Sequence, residues 1–120
     1  MYYTNIRPFV TDVISILDYD TALQMDGLDE IINGNLSERY SEITDALLRC
    51  NIAHEADILK KAKRLSDTDK TQYEKEYENL YNRLAFQNDY DSFWEKVRAY
   101  INQHLKDIPY EYRSVSKNDT

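Results

Sequence analysis

Apolar residues recur along this chain every three or four positions, the period of an amphipathic helix rather than of a strand. Ile6, Phe9, Val10, Val13, Ile14 and Leu17 predict a first helix over 6–18. A frayed end over 1–5 precedes it, and Pro8 is tolerable in its first turn, where a missing N–H matters little. Asp18-Tyr19-Asp20 predicts a short break. Met25, Leu28 and Ile32 mark the inner face of a second helix over 21–33, in which Gly27 costs up to about 1 kcal/mol relative to alanine. Tyr40, Ile43, Leu47 and Cys50 predict a third helix over 37–50, ended by Asn51. Ala56, Ile58, Leu59 and Ala62 predict a fourth over 52–65, joined to the third as a tight helical hairpin.

Beyond the polar loop 66–70, Tyr73, Tyr77, Leu80, Tyr81 and Leu84 predict a fifth helix over 69–86, with a break at Asn88-Asp89. Phe93, Trp94, Val97, Ile101 and Leu105 predict a sixth over 91–107, and Pro109 stands just past its end. The expected fold class is all-α, a single compact bundle of five or six helices over residues 1–109. The polar residues 110–120 are expected to form a disordered tail.

One turn organises this pattern. Glu30-Ile-Ile-Asn-Gly-Asn-Leu36 joins the second helix to the third and holds the one Asn-Gly pair. Gly34 suits a left-handed position just past a helix end, and Ser37 suits an N-cap.

Composition narrows the classes. Two glycines and two prolines in 120 residues leave little punctuation for a many-stranded sheet. The single cysteine, Cys50, excludes an internal disulfide framework and fits a reducing compartment. No apolar run approaches the roughly 20 residues of a membrane span, and no signal-peptide pattern opens the chain. The expected location is therefore cytoplasmic, without membrane contact.

The net charge of −7 is unevenly placed. Residues 1–57 hold 11 Asp and Glu against 3 Arg, a balance of −8; residues 58–120 hold 11 acids against 12 bases, a balance of +1. An acidic half does not bind a phosphate backbone. It suits a basic protein partner. Asp26, Asp29 and Glu30 fall at i, i+3 and i+4, and Glu38, Glu42 and Asp45 at i, i+4 and i+7, so each set is expected to form a stripe on one helix face. Like charges at this spacing destabilise a helix by a few tenths of a kcal/mol (about 0.2–0.5). Steps of about 4.5–6 Å along the axis are comparable to the spacing of phosphates in a duplex. These six acids are the candidate partner-binding residues.

Other chemistry is sparse. His54-Glu55-Ala-Asp57 starts like a zinc-protease motif, but Ile58 stands where the second histidine is needed. Cys50 lies on an apolar stripe and reads as a buried, inert thiol. Lys60, Lys61, Lys63 and Arg64 read as a cationic last turn that complements the dipole of the fourth helix. Tyr73, Tyr77 and Tyr81 read as packing between helices, beside Glu74, Glu76 and Glu78 rather than beside a basic groove. No catalytic residue, metal or cofactor is expected.

Glu30-Ile-Ile-Asn-Gly-Asn-Leu36 resembles the Glu-Val-x-Asn-Gly-Gly-Phe signature of the bacterial DNA-mimic protein family, with Asn35 in place of the second glycine and Leu36 in place of the aromatic. Ala46-Leu-Leu-Arg-Cys-Asn-Ile-Ala53 and Ala56-Asp-Ile-Leu-Lys-Lys-Ala62 are similar to that family's next helices, and Tyr100-Ile101 with His104 to its closing segment, so the resemblance spans about residues 25–105. It implies an all-α fold and an acidic, non-catalytic protein that occupies the DNA-binding surface of a partner, acting as an inhibitor or regulator. The expected partner is a basic, nucleic-acid-binding protein, with no direct nucleic acid contact, and the chain itself a monomer or weak homodimer. The alternative is an immunity or antitoxin-type protein that plugs a toxin active site. Salt separates them: charge mimicry weakens steeply as salt rises, whereas a plug tolerates it.

Overall fold

A computed structural model describes residues 2–105, with side chains from Phe9 onward. The described elements are all helical: α1 (Tyr2–Asp26), α2 (Leu28–Ile32), a 3-10 helix (Asn35–Arg39), α3 (Tyr40–Arg49), α4 (Ala53–Thr68), α5 (Lys70–Asn82), α6 (Ala85–Asn88) and α7 (Tyr90–His104). The all-α bundle is as expected. Helix α1 packs against α2, α3 and α7, and α4 packs against α3 and α5. The core runs from Ile16, Tyr19 and Leu23 of α1 through Ile31, Ile43, Leu47 and Leu59 to Leu80, Leu84 and Val97. The expected tail over 110–120 lies outside the described residues.

The first helix starts at Tyr2 and runs without a break to Asp26, so the expected interruption at Asp18-Tyr19-Asp20 does not occur. Each of these residues finds a side-chain partner and leaves the backbone to the helix. Asp18 accepts from Arg39 at 2.6 Å, Tyr19 donates to Glu55 at 2.7 Å, and Asp20 accepts from Tyr90 at 2.8 Å.

The chain turns instead at Gly27, with φ 89°, where only glycine is unstrained. A Cβ there would also come within 3.0 Å of the Tyr77 hydroxyl oxygen, which accepts the Asp29 N–H at 2.9 Å. Gly27→Ala is therefore expected to lower stability by about 1–3 kcal/mol, seen as a fall in urea midpoint. An unchanged midpoint would mean that the turn is not strained by a side chain.

The buried side of α1 also differs from its apolar pattern. Val10, Ile14 and Leu17 are 42%, 47% and 47% exposed, while Asp12 and Ser15 face inward with Ile16, Tyr19 and Leu23. The two inward polar residues are satisfied by arginines of neighbouring elements, so the helix buries a mixed stripe. Met25 and Leu105, expected inward, are 78% and 39% exposed, whereas Tyr100 is buried.

Later boundaries shift for similar reasons. Ser37 caps no α-helix: it lies inside the 3-10 helix and its Oγ donates to the Gly34 carbonyl at 2.7 Å. Asn51 ends the third helix as expected, at φ 62°. Helix α4 continues to Thr68, so Lys60–Arg64 lie before its last turn and the dipole argument fails. Lys61 lies 3.8 Å from Glu76, and Lys63 lies 3.2 Å from Asp67. The expected fifth helix splits at Leu84, which is extended and buried, and Asp69 caps its start by accepting the Gln72 N–H.

Candidate protein-binding site

The six candidate acids occupy four different elements. Asp26 is the last residue of α1, Asp29 and Glu30 lie on α2, Glu38 on the 3-10 helix, and Glu42 and Asp45 on α3. The Gly27 break separates Asp26 from Asp29, and Glu38 precedes the start of α3, so neither expected stripe is one continuous helical face. What joins the six is the chain segment 26–45, in which α2 packs on both α1 and the 3-10 helix.

The turn that carries them is fixed by its own polar side chains and by Ser66 and Tyr73 from α4 and α5. Glu30 curls back so that Oε2 accepts the Asn35 N–H at 2.9 Å. Gly34 makes room for this: a Cβ there would sit 2.6 Å from Glu30 Oε1 and 2.8 Å from Glu30 Cα. Its φ is −92°, so Gly34 is required by space and not by a left-handed backbone as expected. Asn33 donates from Nδ2 to Asp29 Oδ1 at 2.8 Å and accepts at Oδ1 from Ser66 of α4 at 3.1 Å. Tyr73 of α5 donates to Asp29 Oδ1 at 2.6 Å. Burial raises the Tyr73 hydroxyl pKa well above its ordinary value, and the Asp29 carboxylate raises it further.

The two arginines of the acidic half whose side chains are described, Arg39 and Arg49, pair within the fold. Arg39 donates to Asp18 at 2.6 Å and to Ser15 at 2.9 Å, and reaches Glu42 at 3.4 Å. Arg49 forks onto Asp12 through Nε and Nη2, both at 2.8 Å. Its guanidinium pKa is raised, first by those hydrogen bonds and then by the Asp12 charge. Among the described residues, Asp26, Asp29, Glu30, Glu38 and Asp45 therefore have no cation within ion-pair distance. Glu30 is half-buried, and the other five candidates are exposed.

Three further positions belong to this surface. Tyr73, Glu74 and Tyr77 line a cavity with Asp29 and Asn33. The spacing of Tyr73 and Tyr77 was visible as a helix stripe, but nothing local signals a hydrogen bond to an acid 44 residues away.

Elsewhere Cys50 is buried, and burial pushes its thiol up to about 12, so it stays protonated and unreactive at neutral pH. His54 donates from Nε2 to the Arg83 carbonyl at 2.9 Å. Among the described residues no group of three or more His, Cys, Asp or Glu could hold a metal ion, and no helix is long and apolar enough to cross a membrane.

Comparison with known proteins supports the family of the sequence resemblance, though not the signature at the turn. No curated protein and no solved structure matches the chain. A family model described as DMP19-like protein matches residues 5–107, beyond the 25–105 span of that resemblance. With most of its length matched, the chain belongs to the DMP19-like protein family.

Proposed function

We propose that this chain is a non-catalytic acidic binding module of the cytoplasm that masks the basic surface of a nucleic-acid-binding protein by DNA mimicry, as an inhibitor or regulator. One observation carries the reading: the acids of residues 26–45 are mostly exposed, and the arginines described in this half, Arg39 and Arg49, pair with Asp18 and Asp12 of α1. A carboxylate without an internal cation keeps its field for a partner. The family name, DMP19-like protein, denotes a DNA mimic and supports this reading. The chain acts as a monomer or weak homodimer.

The test is capture of partners from host extract at low and high salt, with and without competing duplex DNA. The expected partner is a basic nucleic-acid-binding protein, released by salt and displaced by duplex. Replacing Glu38, Glu42 and Asp45 together by Gln should weaken that complex by the sum of three exposed pairs, about 0.2–1 kcal/mol each, with an unchanged helical spectrum. A salt-resistant partner without a nucleic-acid role would overturn mimicry and favour the toxin-plug alternative.

A further inference from the structure

Beside the acidic segment, α2 and α5 enclose an open cleft of about 420 Å³, lined by Asp29, Asn33, Lys70, Tyr73, Glu74 and Tyr77. The two tyrosine rings meet edge to face, 5.7 Å apart at 85°, so they form a corner. Asp29 is held at that corner from both ends. Its N–H donates to the Tyr77 hydroxyl oxygen at 2.9 Å, and its Oδ1 accepts from Tyr73 at 2.6 Å and from Asn33 at 2.8 Å. Its other carboxylate oxygen accepts no hydrogen bond from the described residues, and the residue is exposed. The result is an oriented carboxylate with one open oxygen beside an aromatic wall. Asp29 and Glu74 outweigh Lys70, which leaves the lining at −1.

We propose that this cleft receives an arginine side chain of the protein partner, with the guanidinium lying against Tyr77 and donating to Asp29. This rests on the reading of the acidic segment as a partner-binding surface and names its anchor. Arginine fits better than lysine because its planar group can stack on a ring and donate to a carboxylate at once, and it sheds water more readily. An anionic ligand would meet the net negative lining. Lys70 stands on the rim a turn before Glu74 and opposes the incoming charge, so it tunes the affinity downward.

The experiment is an amide and tyrosine-ring NMR titration of the full chain with acetyl-Gly-Arg-Gly-amide, alongside the matching lysine and citrulline peptides. Citrulline keeps the shape of arginine without its charge. Shifts are expected to centre on Asp29, Asn33, Tyr73 and Tyr77, to weaken about two- to fivefold with lysine, and to vanish with citrulline. Glu74→Gln should weaken arginine binding about two- to fivefold and Lys70→Gln should strengthen it. Both positions are exposed and, among the described residues, carry no ion pair or side-chain hydrogen bond, so both variants are expected to keep the fold, checked by the amide spectrum.

Absence of shifts at saturating peptide, equal shifts with citrulline, or shifts spread along Glu38, Glu42 and Asp45 would overturn the cleft. The peptide assay needs no natural partner, so those outcomes leave DNA mimicry standing. Loss of partner capture with the peptide shifts intact would instead remove mimicry and keep the cleft.

Discussion

Glu55→Ala is expected to lower the unfolding free energy by about 3–5 kcal/mol, a large part of the 5–15 kcal/mol typical of a domain. Glu55 is 1% exposed, and its carboxylate joins three parts of the chain. Oε1 accepts the Tyr19 hydroxyl of α1 at 2.7 Å, and Oε2 accepts the Ala85 N–H at the start of α6 at 2.7 Å. Alanine would leave both donors buried without an acceptor, at about 1–3 kcal/mol each, and open a void beside them. Urea unfolding measures the loss. A change under about 1 kcal/mol would mean that water enters and replaces the carboxylate.

The pH dependence gives a second readout on the same group. Burial raises the Glu55 pKa above its ordinary 4.5, and the hydrogen bonds from Tyr19 and Ala85 only partly offset this. The folded chain thus holds the proton more tightly than the unfolded chain does. The stabilisation from that proton is full below pH 4.5 and is lost as pH rises through the higher folded value. Glu55→Gln cannot titrate. The stability of the natural chain relative to Glu55→Gln should therefore be greatest below the ordinary carboxylate pKa and decline as pH rises above it. A difference that stays flat with pH would show that Glu55 does not titrate on folding.

How far the sequence reveals this molecule depends on whether a feature is local. The helical period placed α3, α4 and α7 within a few residues, because Ile43, Leu47, Ala56, Leu59, Phe93 and Val97 are the inner positions in both pattern and structure. It failed on α1, where Asp12 and Ser15 are buried and Val10, Ile14 and Leu17 are not; the partners that make this possible come from residues 24 or more positions away. It failed again at Leu84, where a distant carboxylate takes the next N–H and ends the helix. Glycine chemistry was legible in kind but assigned to the wrong residue: Gly27 carries the positive φ and Gly34 the steric need. The acidic residues were legible as charge. That all but Glu42 have no described cation within ion-pair distance depends on where Arg39 and Arg49 point, which no spacing rule gives.

The second large effect is expected at Arg49, and its sign distinguishes two accounts of the Asp12 cluster. Asp12 is 2% exposed, accepts the Arg49 fork at 2.8 Å twice, and also accepts the Tyr100 hydroxyl of α7. Three helices meet on one carboxylate. Arg49→Ala removes the cation and leaves the charge buried with one remaining partner, which is expected to cost about 3–5 kcal/mol. Asp12→Ala is milder. The Arg49 side chain is already 53% exposed and can turn to water, so the loss is one unsatisfied Tyr100 hydroxyl and a small void, about 2–3 kcal/mol. The double variant should then be more stable than Arg49→Ala alone, because removing Asp12 removes the stranded charge. Urea unfolding of the three variants completes the cycle. If the double variant were less stable than Arg49→Ala, the cluster would act through the packing of the arginine stem and not through the buried carboxylate, and the arginine would be no clamp on the charge of this half of the chain.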